Sequence, residues 1–391
     1  MTIADLRSQI VELVRDFVKK DVIPVANELE ADDIYPVDLV EKMQEMGLFG
    51  ITIPEQYGGQ GLDHTTFAMI FEELSKGWMS LSGIIGTHHV TSDIIRQFST
   101  EEQKKKYLSR MASGEIRGGL ALTESEAGSD VQNIRMTALR EGNTYILNGR
   151  KMFITNGENG SVFAVLAKTD VNTNPAYKGI SCFIVEKPLD GFSIGQKFDK
   201  LGYRGIDTCE LVFDNCRISI DSLVGDVEGK GYGQVMNALE AGRINVAARA
   251  VGVASAALEA ALKYSSERET FGTPINQHQA IQMKLADMAT KVHAARLLTY
   301  DAASKKDTGV RSDLEAGMAK LFASEICAEV TLDAMRIFGG YGYIKDLPLE
   351  RYYRDAPLMI VGEGTNEIQR LVIAKRLIER MNTDQNQYLF S

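Results

Sequence analysis

The chain has 391 residues, 44% of them hydrophobic and 25% charged, which is enough apolar material for more than one buried core. Its formal charge of −10 at pH 7 argues against nucleic acid as a partner, because phosphate-backbone binders gather Lys and Arg into a net basic face. Charges run through Met1-Thr2-Ile3-Ala4-Asp5-Leu6-Arg7 and no run of about 18 apolar residues stands out, so a cytoplasmic chain with no signal peptide and no membrane span is expected.

Residues 1–118 read as an N-terminal all-α domain. Ile10, Leu13, Val14, Phe17 and Val18 recur at helical spacing, and Leu39, Met43, Met46 and Leu48 roughly repeat the pattern. Pro54-Glu55-Gln56-Tyr57-Gly58-Gly59-Gln60-Gly61 interrupts it with turn chemistry. Residues 119–228 change to short β-prone runs, a middle β domain: Thr144–Leu147, Val162–Leu166, Ile180–Val185 and Glu210–Phe213. Asn148-Gly149 predicts a hairpin turn, since both of its central positions would take left-handed angles. Residues 229–391 return to helical periodicity, with Met318, Leu321, Phe322, Ile326, Val330, Ala334 and Ile337 marking one stripe of a C-terminal four-helix bundle. The stretch 243–262 is rich in alanine and contains Gly252, a pattern that suggests close backbone packing. The fold class expected is α+β multidomain, with helices at both ends and strands between them.

Gly229–Gly233 clusters glycines without G-x-G-x-x-G spacing and follows no convincing strand, so it is not a dinucleotide-binding turn. Cys182, Cys209, Cys216 and Cys327 form no C-x-x-C pair and read as buried thiols; no metal is expected. His88-His89 invites a metal or acid–base reading, but no third ligand stands at useful spacing.

Two segments carry a resemblance: Leu122-Thr123-Glu124-Ser125-Glu126-Ala127-Gly128-Ser129-Asp130, and Val361-Gly362-Glu363-Gly364-Thr365-Asn366-Glu367-Ile368-Gln369-Arg370. With Asn148–Gly157, Arg268-Glu269-Thr270-Phe271-Gly272 and Phe338-Gly339-Gly340-Tyr341-Gly342-Tyr343, they resemble the acyl-CoA dehydrogenase family in order along nearly the whole chain. The resemblance implies FAD as cofactor and α,β-desaturation of an acyl-CoA to a 2-enoyl-CoA. It further implies electron-transfer flavoprotein as acceptor and a homo-oligomer, usually a tetramer. The alternatives within reach are an acyl-CoA oxidase of the same fold, against which the length weighs, and a flavin-containing binding protein that has lost catalysis.

By the same resemblance, Glu363 is the base that takes the α-proton, and a desolvated carboxylate would be a stronger base for the task. The family's alternative base position is occupied here by Gly242, next to Arg243, and glycine cannot serve. Leu122, Thr123, Phe153 and Thr155 map to the flavin ring. Arg268, Thr270, Phe271, Gln279, Arg336, Gly339 and Gly340 map to the diphosphate and adenosine end, part of it on a neighbouring subunit, with Thr365 and Glu367 also assigned to the cofactor. A guanidinium suits phosphate because its donors match the oxygens in a planar fork. Ser129, Glu240, Arg243, Gly362 and Gly364 map to the acyl-CoA.

The pattern departs in places. Ser125 stands where proline is common, and Arg336 and Glu367 where glutamine is frequent. Gly362 stands where tyrosine often adjoins the acyl chain, and the missing ring suggests an acyl group branched, cyclic or otherwise bulky near its α- and β-carbons. Met79 occupies the position where glutaryl-CoA dehydrogenases carry an arginine, which weighs against a dicarboxylic substrate unless Lys76 or Arg96 substitutes.

Overall fold

The computed structural model describes residues 3–383. In the N-terminal region α1 (Ile3–Phe17) runs through a wider π turn, Val18–Val22, into α2 (Ile23–Ala31). Val14, Phe17, Val18 and Val22 are buried, whereas Leu13 points to solvent. After α3 (Val37–Glu45), the glycine-rich turn leads to α4 (His64–Gly77), whose first turn is capped by Asp63 accepting from the Thr66 N–H at 2.7 Å. The next helix, α5 (Met79–Phe98), is buried along almost its whole length. It is followed by α6 (Glu101–Ala112), which opens on a reciprocal Thr100–Gln103 cap.

The middle region is a seven-stranded sheet. In chain order its strands are β1 (Gly118–Ala121), β2 (Thr137–Glu141), β3 (Thr144–Thr155), β4 (Val162–Lys168), β5 (Ile180–Glu186), β6 (Phe192–Lys197) and β7 (Thr208–Ser219). They lie in the order β1-β4-β2-β3-β7-β6, with β5 on β4.

One expectation fails here. Asn148-Gly149 is no hairpin turn but the middle of the twelve-residue β3. A bulge there shifts the register against β7 between Leu147 and Gly149. Gly149 sits at φ 146°, and a Cβ on it would stand 2.8 Å from the Met136 backbone. The glycine serves a close approach within a strand, and the turn joining β2 to β3 falls instead at Gly142-Asn143, where Glu141 pairs with Thr144.

The C-terminal region is built around α7 (Gly231–Glu267), α8 (Gln279–Asp307) and α9 (Asp313–Phe338), with α10 (Leu349–Val361) and α11 (Asn366–Thr383) packed on α9. Between α7 and α8 lies a small hairpin of β8 (Glu269–Thr270) and β9 (Thr273–Pro274). Gly252 of α7 does permit close packing: a Cβ on it would stand 2.3 Å from the Glu72 carbonyl oxygen of α4. By length and composition α7 could also span a bilayer, but most of its apolar stretch is buried inside the molecule, as expected of a core helix.

Candidate active site

Glu363 sits in the four-residue connection between α10 and α11. The Gly362 N–H closes α10 on the Leu358 carbonyl at 2.7 Å. Glu363 and Gly364 then both take positive φ, 52° and 86°. A left-handed non-glycine residue is strained by about 1 kcal/mol or more and persists only where its surroundings enforce it. The enforcement is polar and buried. Lys320 of α9 donates from Nζ to the carbonyls of Ile360 and Gly364, each at 2.9 Å, and to Asn366 Oδ1 at 2.7 Å. Gln369 Nε2 reaches the carbonyls of Gly364 at 3.1 Å and Glu363 at 3.3 Å, while Asn366 Nδ2 bonds Ser324 Oγ at 3.0 Å. Burial pushes the Lys320 pKa down to about 8, with the nearby Glu363 charge acting against that fall.

The turn aims the Glu363 carboxylate at α7. A Cβ on Gly242 would lie 2.1 Å from Glu363 Oε2, so Glu363 occupies space that any side chain at 242 would take. Oε2 is buried without a partner, and Oε1 lies 3.4 Å from Arg249 Nη2. Desolvation raises the Glu363 pKa, opposed by the charges of Arg249, Lys320 and Arg243. The group is a carboxylate whose Oε2 is shielded from water with one lone-pair face free, although its side chain as a whole is 23% exposed, and this suits it to accept a proton from carbon.

The segment Leu122–Ser129 follows β1 and is fixed to β3 by the Met152 N–H donating to the Thr123 carbonyl at 2.8 Å. Beneath it the fully buried Lys151 donates to the Leu122 carbonyl at 3.0 Å and to Glu124 at 2.8 Å, while Glu124 also accepts the Arg135 and Met136 N–H groups. A second β3 irregularity, between Lys151 and Ile154, puts Phe153 at φ 60° and leaves its ring 60% exposed beside Phe198. Thr155 closes β3 and is half-buried. These residues therefore form a surface with an exposed aromatic ring. Ser129 is exposed on the same loop, as is Ser125.

Glu240 and Arg243, on either side of Gly242 along α7, line a cavity of about 1020 Å³ that also takes in Tyr232, Met236, Lys306 and Arg311. Glu240 is not paired with Arg243 along the helix. It accepts from Lys306 Nζ at 3.0 Å and from the Ser312 N–H at 3.3 Å, and the buried Arg243 Nε has no partner.

The remaining positions gather elsewhere. Arg268, Thr270, Gly339 and Gly340 line a separate cavity of about 590 Å³ with Tyr264, His278 and Tyr341. Phe271 and Gln279 are exposed nearby in sequence, outside that lining. Arg336 turns away to Asp333 at 3.0 Å, so the structure gives it no place among the cavity's donors. Thr365 precedes α11, its hydroxyl 3.4 Å from the Ile368 N–H, and Glu367 is exposed on that helix. The histidine pair is structural: His88 and His89 are buried and bonded to the carbonyls of Phe49 and Leu48, each at 3.0 Å. All four cysteines are buried, and desolvation pushes Cys182 up to about 12 and Cys209 up to about 11.

Reading the sequence missed Lys320, Asn366 and Gln369 behind the Glu363 turn, the Lys151–Glu124 pair, and Arg249, Asn245 and Tyr203 beside the carboxylate. The available signal was a charge inside an alanine stripe: Ala247-Ala248-Arg249-Ala250 and Ala316-Gly317-Met318-Ala319-Lys320.

Three family models cover the chain in order: the acyl-CoA dehydrogenase N-terminal domain at 5–115, middle domain at 119–216 and C-terminal domain at 229–378. An acyl-CoA dehydrogenase of Bacillus subtilis is 45% identical over 94% of this chain and 96% of its own length. The solved structure of butyryl-CoA dehydrogenase from Megasphaera elsdenii superposes with a TM-score of 0.93 at 38% identity, covering 97% of this chain and 99% of that one. A chain solved in work on the electron transferring flavoprotein of Acidaminococcus fermentans has a TM-score of 0.93 at 43% identity, covering 95% and 97%. The chain belongs to the acyl-CoA dehydrogenase family, FAD-using oxidoreductases that act on CH–CH bonds.

Proposed function

We propose that the protein desaturates an acyl-CoA thioester between Cα and Cβ with Glu363 as the base. The observation that carries this is the carboxylate itself: strained backbone, desolvated Oε2, and a glycine at 242 that leaves it room. Glu363 accepts the α-proton while its own backbone N–H and the cofactor side polarise the thioester carbonyl, so charge developing on that oxygen meets a fixed donor. Arg243 and Glu240 line the approach for the CoA arm, and the exposed Ser129 is assigned to the same ligand. Gly362 adds width. A Cβ there would stand 3.0 Å from the Leu358 carbonyl oxygen behind it and otherwise meet only the Leu358 side chain within 4 Å, which supports acyl groups branched or cyclic near Cα and Cβ.

FAD fits the residues present. Thr123, Phe153 and Thr155 offer an exposed ring and polar edge for the flavin. Arg268 and Thr270, beside glycines at 339 and 340 with nothing within 4 Å of a would-be Cβ, offer an open cradle for phosphate and adenosine. When bound, FAD supplies the hydride acceptor that a proton-removing carboxylate cannot. We assign the second patch to the cofactor of a neighbouring copy, which makes the enzyme a homo-oligomer. Electron-transfer flavoprotein is the proposed acceptor, in line with the relative from Acidaminococcus fermentans.

The test is anaerobic bleaching of the yellow holoprotein by butyryl-, isobutyryl- and cyclohexanecarbonyl-CoA. Glu363→Gln should slow flavin reduction by about 10⁴-fold while thioester binding persists. Reduction at near the wild-type rate in that variant would remove Glu363 from the proton-transfer step.

A further inference from the structure

The side chains packed beside Glu363 are polar where an acyl chain would call for a hydrocarbon wall. On α7, Gly242, Asn245 and Arg249 stand at i, i+3 and i+7 and so share one face. The facing residues of α5, Gly83, Gly86 and Val90, have the same spacing. The helices meet closely: Cβ atoms on Gly83 and Gly86 would stand 1.8 Å from the Tyr203 hydroxyl and 2.5 Å from Asn245 Nδ2, and the would-be Cβ of Gly242 is 3.4 Å from Val90. Three glycines thus open the room that Tyr203, Asn245 and Glu363 enter.

The polar atoms there are under-used. Asn245 is 0% exposed, yet neither its Nδ2 nor its Oδ1 has a partner. The Arg249 side chain is 7% exposed; its Nε is unpartnered, and its two terminal nitrogens make only long contacts, 3.3 Å to the Tyr203 hydroxyl and 3.4 Å to Glu363 Oε1. Charge-assisted bonds of a guanidinium to a carboxylate normally close to about 2.7–2.9 Å. Buried polar groups left this way are uncommon in a folded interior and call for a partner.

Resting on the dehydrogenase reading above, we propose that the acyl group carries a carboxylate one or two carbons beyond Cβ, a succinyl- or glutaryl-sized monothioester, and that Arg249 with Asn245 binds it. A carboxylate brings the acceptor oxygens that Arg249 and Asn245 Nδ2 lack. The cation comes from α7, which removes the objection raised by Met79. Lys76 and Arg96, the substitutes considered from sequence, are engaged by Glu73 and Asp93. The chemistry is otherwise unchanged: Cα loses a proton to Glu363, Cβ loses a hydride to the flavin, and the carboxylate is retained. Once Arg249 turns to the substrate, its hold on Glu363 loosens, so the correct substrate strengthens its own base.

Anaerobic flavin reduction with succinyl-, glutaryl-, butyryl- and isobutyryl-CoA tests this in wild type, Arg249→Gln, Arg249→Lys and Asn245→Leu. Wild type should favour a carboxyacyl thioester over butyryl-CoA by at least tenfold in kcat/KM. Arg249→Gln should collapse that ratio about 100-fold, Asn245→Leu should lower it less, and Arg249→Lys should restore part of it. A wild type that handles butyryl-CoA as well as the carboxyacyl thioesters, or an unmoved ratio in Arg249→Gln, overturns the proposal. If no thioester bleaches the flavin, the dehydrogenase reading fails, and calorimetric binding of glutaryl-CoA against butyryl-CoA to the holoprotein decides the pocket. Tighter glutaryl-CoA binding that Arg249→Gln abolishes upholds it, and equal affinity overturns it.

Discussion

The two regions assigned to ligands are built on opposite principles. The cavity around Arg268, Thr270, Gly339 and Gly340 is open, and beside it Phe271 is 98% exposed at φ 52° on the two-residue turn between β8 and β9. The surroundings of Glu363 are enclosed by comparison: its turn is fixed by buried bonds from Lys320 of α9 and Gln369 of α11, and its carboxylate lies against α7. A bulky aromatic residue held in a left-handed turn, with only an edge contact to His278 and nearly all of its surface offered to water, buries almost nothing within its own chain. The first region fits the proposed role of half a site shared with a second copy, whereas the groups around Glu363 are gathered from a single chain.

That difference also decided what the sequence could reveal. Arg268–Gly272 and Phe338–Tyr343 are contiguous, so their residue types can be read in one window. Glu363 was legible for the same reason, flanked by glycines on a short turn. Its supports were not: Lys320, Asn366 and Gln369 converge from two helices, and Arg249, Asn245 and Tyr203 from a helix and a distant loop. Each taken alone reads as a solvated charge or a core polar residue. Hydrophobic period gave the helical and β regions, because burial of apolar faces sets them. It could not tell Gly149 in a bulged strand from Gly149 in a hairpin, since both need the missing side chain and only the approach of Met136 selects between them.

The sharpest way to break the comparison is to disturb the closed region by one methyl group. Gly242→Ala should help the helix, as alanine has the higher propensity, yet its Cβ falls on the Glu363 carboxylate. A displacement of about 1 Å in a catalytic group costs about 100-fold, so kcat/KM for flavin reduction should drop by that order with thermal stability held or raised. Activity within threefold of wild type would show that the carboxylate is free to move, and the closed-site description would fail.

The open region predicts the reverse pattern. Phe271→Ser removes a ring that its own chain does not bury, so unfolding of the isolated chain should be unaffected. Burying such a ring against a second copy contributes about 1.5–3 kcal/mol. The variant should therefore dissociate at higher protein concentration and release FAD more readily, seen by sedimentation and by flavin fluorescence. A loss of chain stability with assembly intact would contradict the half-site reading.

The smallest effect concerns α5, the helix that joins the surroundings of Glu363 to β1. His88 Nδ1 lies 3.0 Å from the Gly118 N–H at the start of β1, and Thr87 Oγ1 accepts from the Leu120 N–H at 3.2 Å. An N–H can only donate, so Nδ1 must be the acceptor and Nε2 must carry the proton given to the Phe49 carbonyl. His88 is thus fixed as one neutral tautomer. Burial accordingly pushes its pKa down to about 3 from 6.5 and that of His89 to about 4. Because both folded values are depressed, the unfolded chain binds the extra protons. Stability is fully present above about pH 6.5 and is lost as the pH falls toward 3, by about 1.4 kcal/mol per pH unit for each histidine. Glutamine can offer one acceptor and one donor in place of the two ring nitrogens. His88→Gln should cost some stability at pH 7.5 but flatten the decline between pH 5.5 and 4 by about 1.4 kcal/mol per unit in urea unfolding. An unchanged slope would mean that His88 is already protonated in the fold and that β1 is not held to α5 through a neutral imidazole.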